Sequence, residues 1–125
     1  ELGRATSATD LQKVWRRRRV FAGRVTAFFE AVDLLLVPAQ PMASPTLAQM
    51  ASLGTDPEGF TRLVRFTAPF DMSGHPTITL PAGFTAAGLP VAVQLAGARL
   101  QEAMLVRAGR AFQGVTDWHR RHPGA

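Results

Sequence analysis

The side chains that could take part in catalysis are few and scattered along this sequence. The stretch 71–97, rich in glycine and proline, has only two ionisable side chains, Asp71 and His75. A serine nucleophile needs a base within hydrogen-bonding reach, and this stretch contains no obvious nucleophile–base pair. Its glycines and prolines indicate a segment of defined turns rather than a catalytic one.

Metal and cofactor sites are not indicated either. The chain has no cysteine, and His75, His119 and His122 lack the fixed helical spacing of a ligand set. No apolar run approaches the roughly 20 residues that cross a bilayer. We therefore expect no metal, no cofactor and no membrane partner. The absence of cysteine favours a cytoplasmic location.

A run of basic residues raises the question of nucleic-acid binding. Six of them lie between Asp10 and Glu30 with no acid among them, and the net charge is +5. Such a run could form a phosphate-binding stripe. However, the consecutive arginines at 16–19 point all the way round a helix, and no aromatic platform accompanies them. We favour a solvated, ion-paired helix surface and expect no nucleic-acid partner.

The spacing of apolar residues predicts elements in the order α, β, α, β, β, α, which indicates an α/β fold class. Short apolar runs bounded by proline or glycine favour strands over helices. The predicted division is a long amphipathic helix over 1–32, strands and loops with one helix over 33–97, a C-terminal helix over 98–116 and a polar tail over 117–125.

Local signals add detail to these elements. Ser7 or Thr9 can cap the first helix. Thr55 and Glu58 have the spacing of a capping box for the middle helix, and Pro69 is predicted to end or kink that helix. The last helix is predicted to bury Met104, Leu105, Ala108, Phe112 and Val115.

The predicted sheet has three strands, which is few for strands of this hydrophobic character. The strands at 34–37 and 91–95 have hydrophobic surroundings, and such strands normally need cover on both faces. The sequence also begins with Glu1 rather than methionine. Together these features lead us to expect the C-terminal part of a larger α/β protein.

Several motifs resemble those of the amidase signature enzymes, from the first helix to about Val115. An arginine-rich helix precedes a strand-and-proline segment, and a glutamate leads the last helix. The motifs are Asp33-Leu-Leu-Leu-Val-Pro38, Gly74-His75-Pro76-x-x-Thr79-x-Pro81-x-Gly83, Gly88-Leu89-Pro90-x-x-x-Gln94-Leu95-x-Gly97 and Glu102. The Gly-His-Pro turn, and Val64 where tRNA-linked amidotransferases have an acid, favour the general amidase branch.

The resemblance implies the C-terminal part of an α/β/α amidase fold, with a mixed sheet flanked by helices, so that 1–125 is a fragment of a single domain. It implies an amide hydrolase with a Ser–Ser–Lys triad, an acyl-enzyme and backbone N–H groups holding the oxyanion. The family's lysine and its glycine- and serine-rich signature lie upstream of the matched segments. Lys13 does not correspond to that lysine and no serine here stands in such a cluster, so the resemblance assigns no catalytic residue to this chain. This stretch is therefore predicted to be scaffold and pocket wall, inactive alone, in an enzyme with a small-molecule amide substrate.

The resemblance also implies a set of pocket residues, because in relatives the segment before the first turn lines part of the substrate pocket. The candidates for substrate binding are Phe66, Thr67, Phe70, Asp71, Ser73 and Gly74. For each of them ordinary packing or capping is the favoured alternative. Pro38, Met42 and Ser44 could edge the substrate entrance or form a surface loop, and His75 is expected to be packed or solvated.

Two questions stay open at this point. A stand-alone binding or structural module, using the basic helix against RNA or acidic partners, is the alternative function. A homodimer is one possible assembly of the protein.

Overall fold

A three-stranded sheet lies between helices on its two faces. The computed structural model describes residues 2–53 and 55–121. The strands are β1 (Leu34–Pro38), β2 (Thr77–Phe84) and β3 (Pro90–Gly97). The helices are α1 (Leu2–Ala5), α2 (Ala8–Phe28), α3 (Leu47–Leu53), α4 (Pro57–Leu63), α5 (Ala68–Ser73) and α6 (Glu102–Gly114), followed by a 3₁₀ turn (Trp118–Arg120). None of the described helices has the length and apolar character to cross a bilayer.

The described strands pair antiparallel throughout, in the order β1–β3–β2. A short connection joins β2 and β3 into a hairpin, and Gly88 adopts a left-handed conformation there with φ 77°. The register shifts between Pro81 and Gly83, which lets proline stand in an edge strand. The predicted α/β class is confirmed, and the part of the sheet formed by the described strands is antiparallel.

One face of the sheet packs on α2 and α5. The buried cluster there contains Phe29 from the end of α2, Phe70 from α5 and Ala96 from β3. Leu35 and Val37 of β1 pack against this cluster. Phe70 thereby holds α5, the helix that precedes the turn at Gly74, against the sheet.

The opposite face of the sheet carries α6, which contacts β2 and β3. Leu105 is buried at 2 % exposure. A Cβ placed on Gly109 would lie 3.0 Å from Ile78 Cδ1, so a glycine lets the helix approach the sheet closely. The helix ends at Gly114, and Val115 is 84 % exposed rather than buried as predicted.

The first helix is shorter than the sequence predicted. The prediction was one helix over 1–32, but α2 begins at Ala8 and ends at Phe28, with the short α1 before it. Ser7 interrupts the run because its Oγ accepts a hydrogen bond from the backbone N–H of Asp10 at 3.1 Å, as an N-cap does.

Three short helices, α3, α4 and α5, replace the single helix predicted between 33 and 97. Pro69 lies in the first turn of α5, where its missing N–H has no helical partner to lose, so it begins a helix instead of ending one. The capping box predicted at Thr55 does not form. Thr55 Oγ1 donates to Ser52 O at 2.9 Å, and Asp56 takes the N-cap position.

Two arginines cap the carboxyl end of α5. Arg18 of α2 donates from Nε to Met72 O at 2.8 Å, and Arg99 donates to Ser73 O. Gly74 then takes the left-handed conformation, with φ 73°, that commonly closes a helix. Cations near these carbonyls are favoured by the helix dipole. This contact explains why an arginine, Arg18, lies on the same side of α2 as the core-facing Val25 and Phe29.

Candidate functional site

A cavity of about 900 Å³ lies between the loop after β1 and the end of the β2–β3 hairpin. Small-molecule sites usually have volumes of roughly 300–1,000 Å³. Thr67 meets Pro38 at the end of β1 and the loop residues Met42 and Ser44 here, so the structure brings one predicted pocket residue together with the predicted entrance. The other lining residues are Ala39, Gln40, Pro41, Ala43, Thr79, Pro81, Thr85, Pro90, Val91 and Ala92.

The lining of this cavity, which we call the Thr67 cavity, is neutral. Among the described residues that line it, none is ionisable; proline, alanine and methionine alternate with hydroxyl groups. Thr67 Oγ1 donates to Val64 O at 3.3 Å, so its lone pairs stay able to accept a hydrogen bond. Such a lining suits an uncharged group with a few polar atoms, because a buried charge would need a partner.

Gln94 is a buried polar residue whose strand partner Thr79 lines the Thr67 cavity, and the sequence marks Gln94 only as part of a motif. Its side chain is 5 % exposed. Nε2 donates to Thr77 Oγ1 at 3.5 Å, and Oε1 has no hydrogen-bond partner among the described residues. An unpaired buried acceptor is costly. The signal in the sequence is a lone amide within an apolar strand.

Phe66 and Phe70 lie at a different place from Thr67. They line an apolar cleft of about 490 Å³ between α2, β1 and α5. Phe66 is half-buried, whereas Phe70 is 7 % exposed and belongs to the core cluster. The cleft also contains Phe21, Arg24, Val25, Phe28, Phe29, Leu35, Val37, Arg65 and Pro69.

Asp71, Ser73 and Gly74 take positions at α5 and its end. Asp71 is exposed in the first turn of the helix, and Gly74 is the exposed residue that closes it. Ser73 is 1 % exposed. The structure therefore groups the six predicted pocket residues into a cavity residue, two cleft residues and three residues of a capped helix end.

A hydrogen-bond chain that is buried at Ser73 and His75 links this helix end to the exposed Thr26 of α2. Ser73 Oγ lies 2.9 Å from His75 Nδ1, and His75 Nε2 lies 3.4 Å from Thr26 Oγ1. Thr26 Oγ1 donates to Ala22 O at 2.9 Å and Ser73 Oγ donates to Phe70 O at 3.4 Å, so the tautomer of His75 decides which ring nitrogen donates a hydrogen bond. The ring also stacks on Phe29 at 5.3 Å. His75 is packed, one of the two environments expected for it.

The Ser73–His75 pair has the spacing of a nucleophile and its base, but it cannot serve as one in this arrangement. Ser73 and His75 are 1 % and 5 % exposed, so no substrate carbonyl can approach the hydroxyl. The pair instead fixes the turn that leads into β2.

Burial of the imidazole, assisted by the positive charge of Arg99, lowers the pKa of His75 below its usual 6.5. The unfolded chain therefore binds more protons below that pH, and the stability present above pH 6.5 is lost as the pH falls toward the folded pKa. We expect Tm to be lower at pH 5 than at pH 7.5, and His75→Gln to reduce that difference. Circular dichroism melts at both pH values test this. His119→Gln serves as the control. If His75→Gln keeps the full difference in Tm between pH 5 and pH 7.5, burial of His75 is not the cause of that difference.

Comparison with known proteins identifies the class to which this fold and these motifs belong. Residues 1–106 match the family model described as Amidase. The chain belongs to the Amidase family, so the resemblance drawn from its motifs is confirmed.

Two curated relatives locate the chain within that family. It is 48 % identical to the putative amidase AmiD of Mycobacterium tuberculosis over 123 residues, which cover 98 % of this chain and 26 % of that protein. It is 34 % identical to an amidase of Pseudomonas putida over 128 residues, which cover 98 % of this chain and 27 % of that protein. The chain thus spans about a quarter of the length of these relatives.

A solved structure shows the same arrangement of elements. The structure of 6-aminohexanoate cyclic dimer hydrolase matches 95 % of this chain with a TM-score of 0.85 and 30 % identity, and the match covers 27 % of that chain. The short helices and the antiparallel sheet described above are therefore those of an amidase-family domain.

Proposed function

We propose that this chain supplies part of the substrate-binding wall of an amide-bond hydrolase. The observation that carries the proposal is a neutral cavity at Thr67 in a chain whose fold matches 6-aminohexanoate cyclic dimer hydrolase at a TM-score of 0.85. The hydrolysis follows an acyl-enzyme route whose nucleophile and base lie outside this chain. Alone, the chain hydrolyses nothing.

The proposed substrate is a small-molecule amide whose uncharged part enters the Thr67 cavity. Thr67 offers a hydrogen-bond acceptor there, with Pro38, Met42 and Ser44 at the entrance. Phe66 and Phe70 form the neighbouring apolar wall. Asp71, Ser73 and Gly74 contribute by holding the end of α5, where Arg99 and His75 contact Ser73.

The expectations about cofactors, metals, nucleic acid and location are part of the same proposal. The site needs no cofactor or metal, and no nucleic acid is involved: Arg16, Arg17 and Arg19 are exposed on different sides of α2. A cytoplasmic location is proposed from the absence of cysteine.

The substrate-wall proposal predicts that a charge at position 67 damages substrate binding. The test uses a chimera in which this chain replaces the matching stretch of M. tuberculosis AmiD. In Thr67→Lys we expect KM for an aryl amide to rise by about tenfold or more, because the ammonium would be buried beside apolar substrate without a partner.

Steady-state kinetics and thermal melts measure the effect and the integrity of the fold. The matched control is Thr9→Lys, which adds the same charge at an exposed position of α2. An unchanged KM in Thr67→Lys at an unchanged Tm would remove Thr67 from the substrate site.

A further inference from the structure

The residues that follow α6 fold back onto the end of the β2–β3 hairpin. The chain leaves α6 through Thr116, whose Oγ1 donates to Phe112 O at 2.8 Å, and then enters the 3₁₀ turn. Trp118 is half-buried in this turn. Its ring meets that of Phe84 edge-on, with 6.1 Å between the ring centroids. We call residues 116–121 the tail turn, and its aromatic pair joins it to the sheet.

Arg121 makes a second contact with Trp118. Its guanidinium carbon lies 4.4 Å from the centre of the Trp118 ring, a distance at which a cation and an aromatic face attract each other. The same side chain donates to the carboxylate of Asp117 at 2.9 and 3.1 Å. An exposed ion pair contributes little to stability, but this one fixes the guanidinium that stacks on Trp118.

Phe84 connects the tail turn to the Thr67 cavity. It is the last residue of β2, it directly precedes Thr85, and its partner across the hairpin is Pro90. Thr85 and Pro90 both line the cavity, whereas Phe84 and Trp118 are not among the described residues that line it. The tail turn therefore supports one wall of the cavity without entering the space that a substrate would occupy.

Thr85 is the polar group of the supported wall. Its Oγ1 accepts a hydrogen bond from the backbone N–H of Leu89 at 3.1 Å, and its own N–H donates to Leu89 O at 2.8 Å. A hydroxyl that accepts in this way keeps its proton to donate. Leu89 is 41 % exposed, so the tip of the hairpin gains little from burial. The direction in which Thr85 donates thus depends on how firmly Phe84 is held.

We propose that Trp118 is a positioning residue: its contact with Phe84 sets the place of Thr85 in the Thr67 cavity, and thereby the affinity for substrate. Residues 107–121 lie beyond the stretch 1–106 that matches the Amidase family model, so membership of the family does not imply this support. The effect on affinity rests on the proposed function. The support of the hairpin rests on the contacts alone.

Hydrogen exchange in the full 125-residue chain tests the support without any activity. The amides of Gly88 and Leu89 donate to Thr85 and close the hairpin. In Trp118→Ala we expect both to exchange about three- to tenfold faster, the factor that corresponds to a lost aromatic pair. The amides of residues 93–95 in the central strand β3 are the internal reference and should not change.

Two further variants show whether the ring itself is responsible. Trp118→Phe keeps an aromatic ring at the contact and should restore most of the protection at Gly88 and Leu89. Arg120→Ala is the matched control, because Arg120 is an exposed residue of the same turn and should leave the exchange as it is.

Steady-state kinetics of the AmiD chimera tests the role in substrate affinity. Trp118→Ala should raise KM for an aryl amide about three- to tenfold with little change in kcat, because a displaced Thr85 weakens binding while the reacting groups lie elsewhere. Trp118→Phe should restore KM, and Arg120→Ala should not alter it. Thermal melts of the same variants measure the integrity of the fold.

Four outcomes would overturn the inference: unchanged exchange at Gly88 and Leu89 in Trp118→Ala, faster exchange with an unchanged KM, a loss confined to kcat, or equal effects of Arg120→Ala and Trp118→Ala. If exchange becomes faster but the unaltered chimera hydrolyses no amide, the support of the hairpin stands and the proposed function is contradicted instead.

Discussion

Replacing Phe29 by alanine is expected to lower the free energy of unfolding by about 3–5 kcal/mol. Phe29 is 9 % exposed and lies in one cluster with Phe70 and Ala96, where α2, α5 and β3 meet. Its ring also stacks on His75 at 5.3 Å and meets Phe28 edge-on at 5.4 Å. Removing the ring leaves a cavity in the place where three elements are joined, and such a loss is a large share of a small domain's stability.

Phe28→Ala is the matched control for this prediction. Phe28 adjoins Phe29 in sequence but is 45 % exposed, so its loss should cost no more than about 1.5 kcal/mol, the value of an aromatic pair. Urea unfolding followed by circular dichroism measures both variants. Equal losses would mean that the cluster around Phe29 does not hold α2 to the sheet.

The second large effect is expected at Leu105, where alanine should cost about 2–5 kcal/mol. Leu105 is 2 % exposed, and its Cγ would lie 3.5 Å from a Cβ placed on Gly97. The side chain therefore fills the contact between α6 and β3 closely. Truncation leaves space that the glycine beneath it cannot fill.

Val106→Ala provides the comparison within the same helix. Val106 is 52 % exposed, and alanine is the better helix former, so this variant should unfold at the same or a slightly higher urea concentration. A Leu105→Ala midpoint equal to that of Val106→Ala would contradict the packing of α6 on the sheet.

The sequence predicted elements well where one repeating pattern controls them. The hairpin of β2 and β3 follows from two strand-like runs around a glycine-rich turn, and α6 follows from its apolar spacing. The sequence pattern gave wrong element boundaries where a single hydrogen bond or a proline determines where a helix begins. The Ser7 cap splits the first helix, and Pro69 lies in the first turn of α5 although it was predicted to end or kink a helix. The single-domain division stays a prediction.

Parts of the candidate site could not be predicted because they depend on distant contacts. His75 meets Thr26 across 49 positions in the sequence, and Arg18 meets Met72 across 54. The unpaired Oε1 of Gln94 becomes visible only when its neighbours are in place. Thr67 became a candidate pocket residue by resemblance alone, and no periodicity marks it.

We propose that this chain forms a wall of an amide hydrolase whose catalytic residues lie outside it. The most direct test measures aryl-amide hydrolysis by the isolated 125-residue chain and by the chimera in which it replaces the matching stretch of AmiD. We predict hydrolysis at the rate of buffer for the isolated chain and clear turnover for the chimera. Turnover by the isolated chain, or a folded chimera without activity, would contradict the account.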